Sequence, residues 1–342
     1  MRREKIRVIH YGLGPIGSLI ARIVAERPGL EIVGAIDIAP DKAGRDIGEV
    51  IGLGHELGVI VSADAAATLR DTKADVTIHA IGSYLEREAL RLKAVIEAGI
   101  SVVSTCEELA YPQFKHPQIA AELDALAREH GVTVLGTGVN PGFIQDTIAV
   151  VLSGICHDVR RIRVYRRVDT SERRENLQRK AGAGLTVDEF RAQATAGGVH
   201  VGLTQSLQAI AEAIGWKLDR VEETVEPVVA EETVRSQFFE VQPGRVKGLH
   251  QVARGWRDEE EVLTLDLLMY IGLAEPEDEV IIEGTRPLEM RIRGVHGDAA
   301  TAAIVVNAIP RVLNAPPGLV TMTNLPIVSA TLCDCPTPYT SS

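Results

Sequence analysis

The sequence predicts an α/β protein with two domains: a doubly wound parallel sheet first, then an α+β domain built on a mainly antiparallel sheet. Three observations predict it. The string Gly12-Leu13-Gly14-Pro15-Ile16-Gly17 lies between an apolar run and an amphipathic one. Apolar runs and helical periodicities then alternate to about residue 145. From about residue 146 the pattern becomes an alternation of apolar and polar residues, as in strands with one covered face. The expected division is a dinucleotide-binding domain over 1–145, an α+β domain over 146–297, and a helix and tail over 298–342 that return to the first domain.

The first strand is carried by Ile6, Val8 and Ile9. After the glycines, Ile16, Leu19, Ile20, Ile23 and Val24 recur at helical spacing. A second strand, Glu31 to Ile36, ends in Asp37, about 20 residues past the last glycine. Strand, glycine turn, helix and a distant acid form the Rossmann dinucleotide-binding pattern. Gly12 permits the tight turn, Gly14 lets the backbone approach a pyrophosphate, and Gly17 lets helix and strand pack closely. Leu13, Pro15 and Ile16 complete the loop, and the helix N-terminus offers free N–H groups to phosphate. Asp37 suits a ribose 2′-hydroxyl and so favours NAD, whereas Lys42 and Arg45 nearby can serve the 2′-phosphate of NADP.

Val76 to Ala80 reads as a fourth strand, followed by a helix marked by Leu85, Ala89, Leu92 and Ile96 with Ser83 as a candidate N-cap. Ile100 to Ser104 is the next strand, Ile119, Leu123 and Leu126 mark another helix, and Val132 to Leu135 is the strand after it. In the second half, Arg160–Val168, Val234–Val241, Val246–Val252 and Val262–Leu268 alternate as strands. Helices are expected near 187–195 and 201–215. A last helix is expected over Asp298–Leu313, capped by Asp298 and stopped by Pro316-Pro317-Gly318.

Composition narrows the function. A net charge of −11 with no basic stripe argues against nucleic acid. Arg166, Arg167, Arg173 and Arg174 read as a solvated face. No run of 18 apolar residues appears, so no membrane span is expected. Cys106, Cys156, Cys333 and Cys335 make neither a disulfide framework nor a zinc set, so no metal is expected and a reducing, cytoplasmic setting fits. The half-solvated sheet of the second domain points to a homodimer.

In doubly wound sheets, ligands sit beyond the carboxyl ends of the strands. Three such ends carry useful residues here. Ile81-Gly82-Ser83 can line the cofactor's ribose and nicotinamide side, or form a plain strand-to-helix turn. Ser104-Thr105-Cys106-Glu107-Glu108 places two adjacent carboxylates after a buried strand, with Thr105 and Cys106 at the cofactor. One of these acids can act as a general base, or both can be first-turn acids favoured by a helix dipole. Gly136-Thr137-Gly138-Val139-Asn140-Pro141-Gly142-Phe143 is a shaped loop in which Asn140 offers donor and acceptors. Phe143 is an apolar wall or core, and the loop is a substrate contact or a hinge. From the second domain, Arg161, Tyr165 and His200 are pocket candidates, the alternatives being a surface arginine, a half-buried sheet residue and a plain loop histidine. Asn307 can bond a nicotinamide amide or pack between helices.

The Ser104-Thr105-Cys106-Glu107-Glu108-Leu109 run, Tyr111-Pro112, Gly138-Val139-Asn140-Pro141-Gly142, Asn307-Ala308-Ile309-Pro310-Arg311 and Ala315-Pro316-Pro317-Gly318 together resemble one group. It is the 2,4-diaminopentanoate dehydrogenase-like family, including the native amine dehydrogenases, whose architecture is similar to dihydrodipicolinate reductase. The resemblance covers nearly the whole chain. It implies NAD(P)-dependent oxidation of a primary amine to an imine, hydrolysed to a ketone or aldehyde plus ammonia, and reductive amination in reverse. It further implies that Glu108 is the acid near the reacting nitrogen. Alternatives are a dihydrodipicolinate reductase-like enzyme, an amino-acid dehydrogenase of the 2,4-diaminopentanoate, aspartate or homoserine type, and a non-catalytic dinucleotide sensor.

Overall fold

A computed structural model describes residues 5–330. Cys333 and Cys335 lie outside the described residues. The chain divides into two units. One comprises the described residues up to Phe143 together with those from Gly297 onward; the other is Ile144–His296.

The first unit opens with β1 (Ile6–Tyr11), α1 (Pro15–Glu26) and β2 (Leu30–Ile36). It continues with α2 (Ile47–Val50), β3 (Val61–Ser62), α3 (Ala65–Asp71), β4 (Val76–His79), α4 (Leu85–Glu97) and β5 (Ser101–Ser104). A 3-10 turn over Glu107–Ala110, α5 (Pro117–Glu129) and β6 (Thr133–Gly136) follow. In the second unit come α6 (Thr147–Ser153), β7 (Arg161–Asp169), α7 (Glu175–Lys180), α8 (Val187–Thr195) and α9 (Leu203–Ala213). Next are β8 (Arg220–Val229), β9 (Val234–Arg235), β10 (Glu240–Val241), β11 (Val246–Arg257), β12 (Glu260–Tyr270), β13 (Glu277–Glu283) and β14 (Leu288–Arg293). The chain then gives α10 (Gly297–Leu313) and β15 (Gly318–Val320) to the first unit.

The first sheet is wholly parallel, in the order β15-β6-β5-β4-β1-β2-β3. The chain leaves β1 for β2 on one side and later crosses to β4 on the other. The β1/β4 crevice is therefore the switch point where such sheets bind ligands. The apolar runs read from the sequence are its strands, buried on both faces. One core packs Val8, Ile78, Val103 and Leu135 against α1 and α10; the other packs Ile9, Ile36, Val102 and Val134 against α4 and α5. Alternating side chains of one strand feed opposite cores because the period is 2.

The second sheet runs β14-β13-β7-β12-β11-β8, and β7 with β12 is its parallel pair. Its register places Ile162, Val164, Leu263, Leu265, Leu249 and Ala253 on the face covered by helical residues such as Leu203, Leu207 and Ile210. The other face carries Arg163 against Glu283 and His250 against Asp266.

Four expectations change. Val234–Val241 is not one strand but two two-residue strands in a hairpin, because Ser236 Oγ accepts the amides of Phe238 and Phe239 and turns the chain. Asp298 lies inside the first turn of α10 and does not cap it. Ser83 is not the cap of α4; Tyr84 holds that position, without a side-chain cap bond. Arg166 and Arg173 are buried, not solvated. Alternation along β7 turns Arg166 onto the covered face, where it faces Asp278 at 3.3 Å. Burial raises the Asp278 carboxyl to about 6, against the opposing pull of Arg166.

Candidate active site

The carboxyl ends of β1, β2, β4 and β5 are laced together by main-chain bonds. Gly12 N–H donates to Ile36 O at 2.8 Å, Ala80 N–H to Tyr11 O at 2.8 Å, and Thr105 N–H to His79 O at 2.9 Å. Gly12 adopts φ +97°, and a Cβ there would fall 2.5 Å from Ala80 O. A Cβ on Gly17 would fall 2.0 Å from Gly12 O. Both positions therefore exclude a side chain by close backbone approach. Gly14 is different: a Cβ there would meet nothing within 4 Å. It is the N-cap of the 12-residue α1, makes no side-chain cap bond, and is followed by Pro15. The space beside Gly14 is thus open at the helix N-terminus, where a diphosphate can approach the backbone.

Asp37 ends β2 with its carboxylate folded over this loop. It accepts Leu13 N–H at 2.7 Å and Ala39 N–H at 2.9 Å, and Lys42 Nζ lies 3.3 Å from Oδ2. Partial burial pushes its carboxyl up, but the Ala39 and Leu13 amides and the Lys42 ammonium outweigh it and hold it below the usual range. Arg45 turns away, to Asp41 O and Glu49. Ile38 and Ile81, 77% and 40% exposed, flank the loop. Ile38 escaped the sequence reading because a single exposed isoleucine carries no pattern.

Glu108 sits on the 3-10 turn that follows β5. Its amide donates to Ser83 O at 3.2 Å, which ties the turn to the segment after β4. Its carboxylate is only 6% exposed. Oε2 accepts Leu85 N–H at 2.9 Å and lies 2.9 Å from His116 Nε2. The first amide of α4 is thus satisfied by a distant acid, which is why Ser83 is not needed as its cap. Gly136 makes this possible: a Cβ there would lie 2.4 Å from the Leu109 carbonyl carbon and 2.6 Å from Ala110 N. Glu107, its neighbour, is half-exposed. The Cys106 thiol donates to Ser83 O at 3.4 Å, and burial together with the Glu107 charge pushes its pKa far up. It stays a neutral thiol.

A second polar chain supports this floor. His79 Nδ1 lies 2.9 Å from Ser104 Oγ and Nε2 lies 3.1 Å from Glu88 Oε2, and Arg91 reaches the same oxygen at 3.1 Å. Burial raises the Glu88 carboxyl, but His79 and Arg91 together bring it below its ordinary value. Gly82 lies directly over it, since a Cβ there would fall 2.5 Å from Glu88 Oε1. Sequence reasoning missed Glu88 and His116, because each reaches the site only through tertiary packing.

The structure therefore brings Gly12, Leu13, Gly14, Pro15, Ile16, Gly17, Asp37, Ile81, Gly82, Ser83, Thr105, Cys106 and Glu108 to one edge of the parallel sheet. Asn140 follows β6 at the same edge, in a loop held by Val139 N–H donating to Thr301 Oγ1 at 3.2 Å. Phe143 packs against the core beneath α1 and α10. Asn307 is elsewhere. Its Oδ1 accepts Arg27 Nη1 at 2.6 Å, and Arg27 is the C-cap of α1, about 18 Å along that helix from the glycine loop. It joins two helices and does not meet a nicotinamide. Arg161, Tyr165 and His200 do not converge. Arg161 and Tyr165 project from the open face of the second sheet, Arg161 donating to Glu261 O at 2.7 Å and Tyr165 lying under Arg167. His200 O accepts from Gln251, which points to the covered face.

A parallel sheet with a glycine-loop phosphate cradle at its switch point, an acid at the end of β2 and a buried carboxylate after β5 define a dinucleotide-dependent dehydrogenase. Comparison with known proteins narrows the class. Residues 143–340 match the 2,4-diaminopentanoate dehydrogenase C-terminal domain, and residues 6–106 match the dihydrodipicolinate reductase N-terminus. The chain belongs to the 2,4-diaminopentanoate dehydrogenase family. It is 35% identical to the 2,4-diaminopentanoate dehydrogenase of Acetoanaerobium sticklandii over 97% of this chain and 96% of that one. It is 25% identical to an amine dehydrogenase of Streptomyces virginiae over 94% and 96%. Among solved structures, an amine dehydrogenase from Mycobacterium smegmatis superimposes with a TM-score of 0.88 at 30% identity, covering 97% of this chain and 99% of that one.

Proposed function

We propose that this protein is an NAD(P)-dependent amine dehydrogenase that reversibly deaminates a primary amine to a ketone or aldehyde plus ammonia. The observation that carries the reading is the buried Glu108 carboxylate at the carboxyl edge of the parallel sheet, beside the dinucleotide crevice. The kinship to 2,4-diaminopentanoate and amine dehydrogenases supports the C–N chemistry. The sequence match to the dihydrodipicolinate reductase N-terminus spans residues 6–106, so it supports the cofactor half and not that substrate.

The residues fit a nicotinamide dinucleotide: Gly14 and the α1 N-terminus would hold the diphosphate, and Asp37 the adenosine ribose. NAD is favoured by the Asp37 carboxylate, and Lys42 beside it supplies the cation that use of NADP requires. When bound, the cofactor takes up hydride from the substrate carbon. Glu108 does the proton work. An ammonium has no lone pair, so Glu108 first takes a proton from the substrate nitrogen, and the neutral amine can then lose hydride and become an iminium. Water adds to that carbon. Glu108, having released that first proton, takes a second from this water and hands it to the nitrogen, and ammonium leaves with the hydroxyl proton as the carbonyl forms. Both contacts of the carboxylate fall on Oε2, and among the described residues no hydrogen bond falls on Oε1, the oxygen available to substrate.

The test is Glu108→Gln, which keeps the Leu85 contact but cannot accept a proton. Turnover of amines should fall by about 10²–10⁴-fold, while the Kd of either cofactor, read by nicotinamide fluorescence, stays near that of the unmodified protein. Turnover that survives the change rejects the reading. The open face of the second sheet supports a homodimer as part of the same proposal, and a monomer mass by light scattering would remove it.

A further inference from the structure

We propose that His116 is the proton relay between Glu108 and solvent, an inference that rests on the amine dehydrogenase reading above. Burial makes the case. A carboxylate that accepts a substrate proton must release the excess proton before the next cycle, and Glu108 is 6% exposed. One of its oxygens lies 2.9 Å from His116 Nε2. The other ring nitrogen, Nδ1, lies 3.7 Å from Glu86 Oε1, and the Glu86 side chain is 74% exposed. The His116 side chain, 14% exposed, thus stands between a buried acid and one in water.

An imidazole can take a proton on one nitrogen and release another from the opposite one, and its ordinary pKa lies near neutrality. The step balances without a co-reactant. Protonated Glu108 passes its proton to Nε2, Nδ1 yields one to Glu86 or to water, and a ring flip or tautomer exchange resets the histidine. No bond other than O–H and N–H forms or breaks. In the reductive direction the same path runs inward. The charged surroundings are Glu108 on the 3-10 turn and Glu86 on α4, with Tyr84 feeling the charges of Glu108, Arg87 and Glu107.

The position of His116 in its own helix argues that its side chain serves this contact. It is the N-cap of α5, where Ser, Thr, Asp or Asn ordinarily bonds a first-turn amide. His116 makes no such bond, and its ring is turned to Glu108 instead.

The test uses the full chain with cofactor and an amine substrate in dilute, non-imidazole buffer. His116→Gln keeps a donor toward Glu108 but cannot relay; His116→Ala opens the route to an external base. Both should lose about 10–100-fold in kcat with KM for the amine and the cofactor unchanged. Free imidazole should restore most of the His116→Ala loss in a saturable manner, and the solvent deuterium isotope effect on kcat should rise in both variants. In cofactor-free protein labelled with 15N-histidine, Glu108→Gln should move the His116 ring signals. A kcat for His116→Gln equal to the unmodified value, a His116→Ala loss that imidazole does not restore, or unmoved ring signals would each overturn the relay while leaving the role of Glu108 intact. Full turnover by Glu108→Gln would overturn both.

Discussion

His10 lies next to the end of β1 with no exposed surface, and neither ring nitrogen has a partner among the described residues. Charging it there means placing an unpaired cation in an apolar core, so burial lowers its pKa from 6.5 to about 3. The unfolded chain therefore binds a proton that the folded chain refuses between those two values. Its contribution is fully present above about pH 6.5 and is lost progressively as pH falls toward 3. At pH 5 the loss is about 2 kcal/mol, from 1.36 kcal/mol per pKa unit. His10→Leu removes the titrating group at similar volume. Urea unfolding at pH 7.5 and pH 5 should show the unmodified chain losing about 2 kcal/mol more than His10→Leu over that interval. Equal losses in the two proteins would contradict this account of His10. Nothing in the sequence announces such a residue, because a histidine within an apolar strand reads the same whether or not it finds a partner.

At the scale of elements, the active edge depends on how closely the 3-10 turn over Glu107–Ala110 approaches the end of β6. Gly136 is the point of contact, and the atoms that a Cβ would meet are main-chain atoms of Leu109 and Ala110, which cannot swing aside. Gly136→Ala must displace the turn, and Glu108 with it. Overpacking of this kind costs about 1–3 kcal/mol, and a displacement of about 1 Å at a reacting group costs about 10²-fold in rate. We expect a lower thermal midpoint and a fall in kcat of at least about tenfold, with cofactor affinity retained because Gly14 and Asp37 are not moved. Unchanged melting and unchanged turnover would show that the turn has slack. The elements were legible where pattern and length agreed. The glycine loop, its flanking strand and helix, and the acid at the end of β2 are local in sequence, so their geometry follows from spacing alone. Glu108 was marked by its place after a buried strand and by the family resemblance, yet its contacts with Leu85 and His116 were not visible, since they join segments from three separate elements. The edge strand β8 was missed because its side chains are mostly exposed and Pro227 interrupts it. Asn307 was misplaced because a small-residue helix face does not reveal what it packs on; here it packs on α1, and the asparagine meets the end of that helix far from the cofactor loop.

At the scale of the whole chain, the first unit is completed by residues that arrive after more than 150 others. The helix α10 covers one face of the parallel sheet and packs along α1, contributing buried Ile304, Val305, Val306, Ile309 and Val312. Strand β15 then extends the sheet beside β6, with Gly318 N–H donating to Val132 O at 2.9 Å. At about 1.5–3 kcal/mol for each fully buried aliphatic side chain, those five residues alone contribute about 8–15 kcal/mol, the size of the entire net stability of a typical domain. The nucleotide-binding unit therefore cannot be a segment that folds from its own contiguous sequence. A chain ended at His296 retains the glycine loop, Asp37 and Glu108, but leaves Ile78, Val103 and Leu135 without the cover that α10 gives that face of the sheet. Such a chain should lose cooperative thermal unfolding and cofactor binding together, whereas a chain ended at Leu325 keeps α10 and β15 and should retain both. If the His296 chain bound cofactor with full affinity and melted as one transition, the closing role of α10 would be refuted. The contiguous half would then fold without its distant cover.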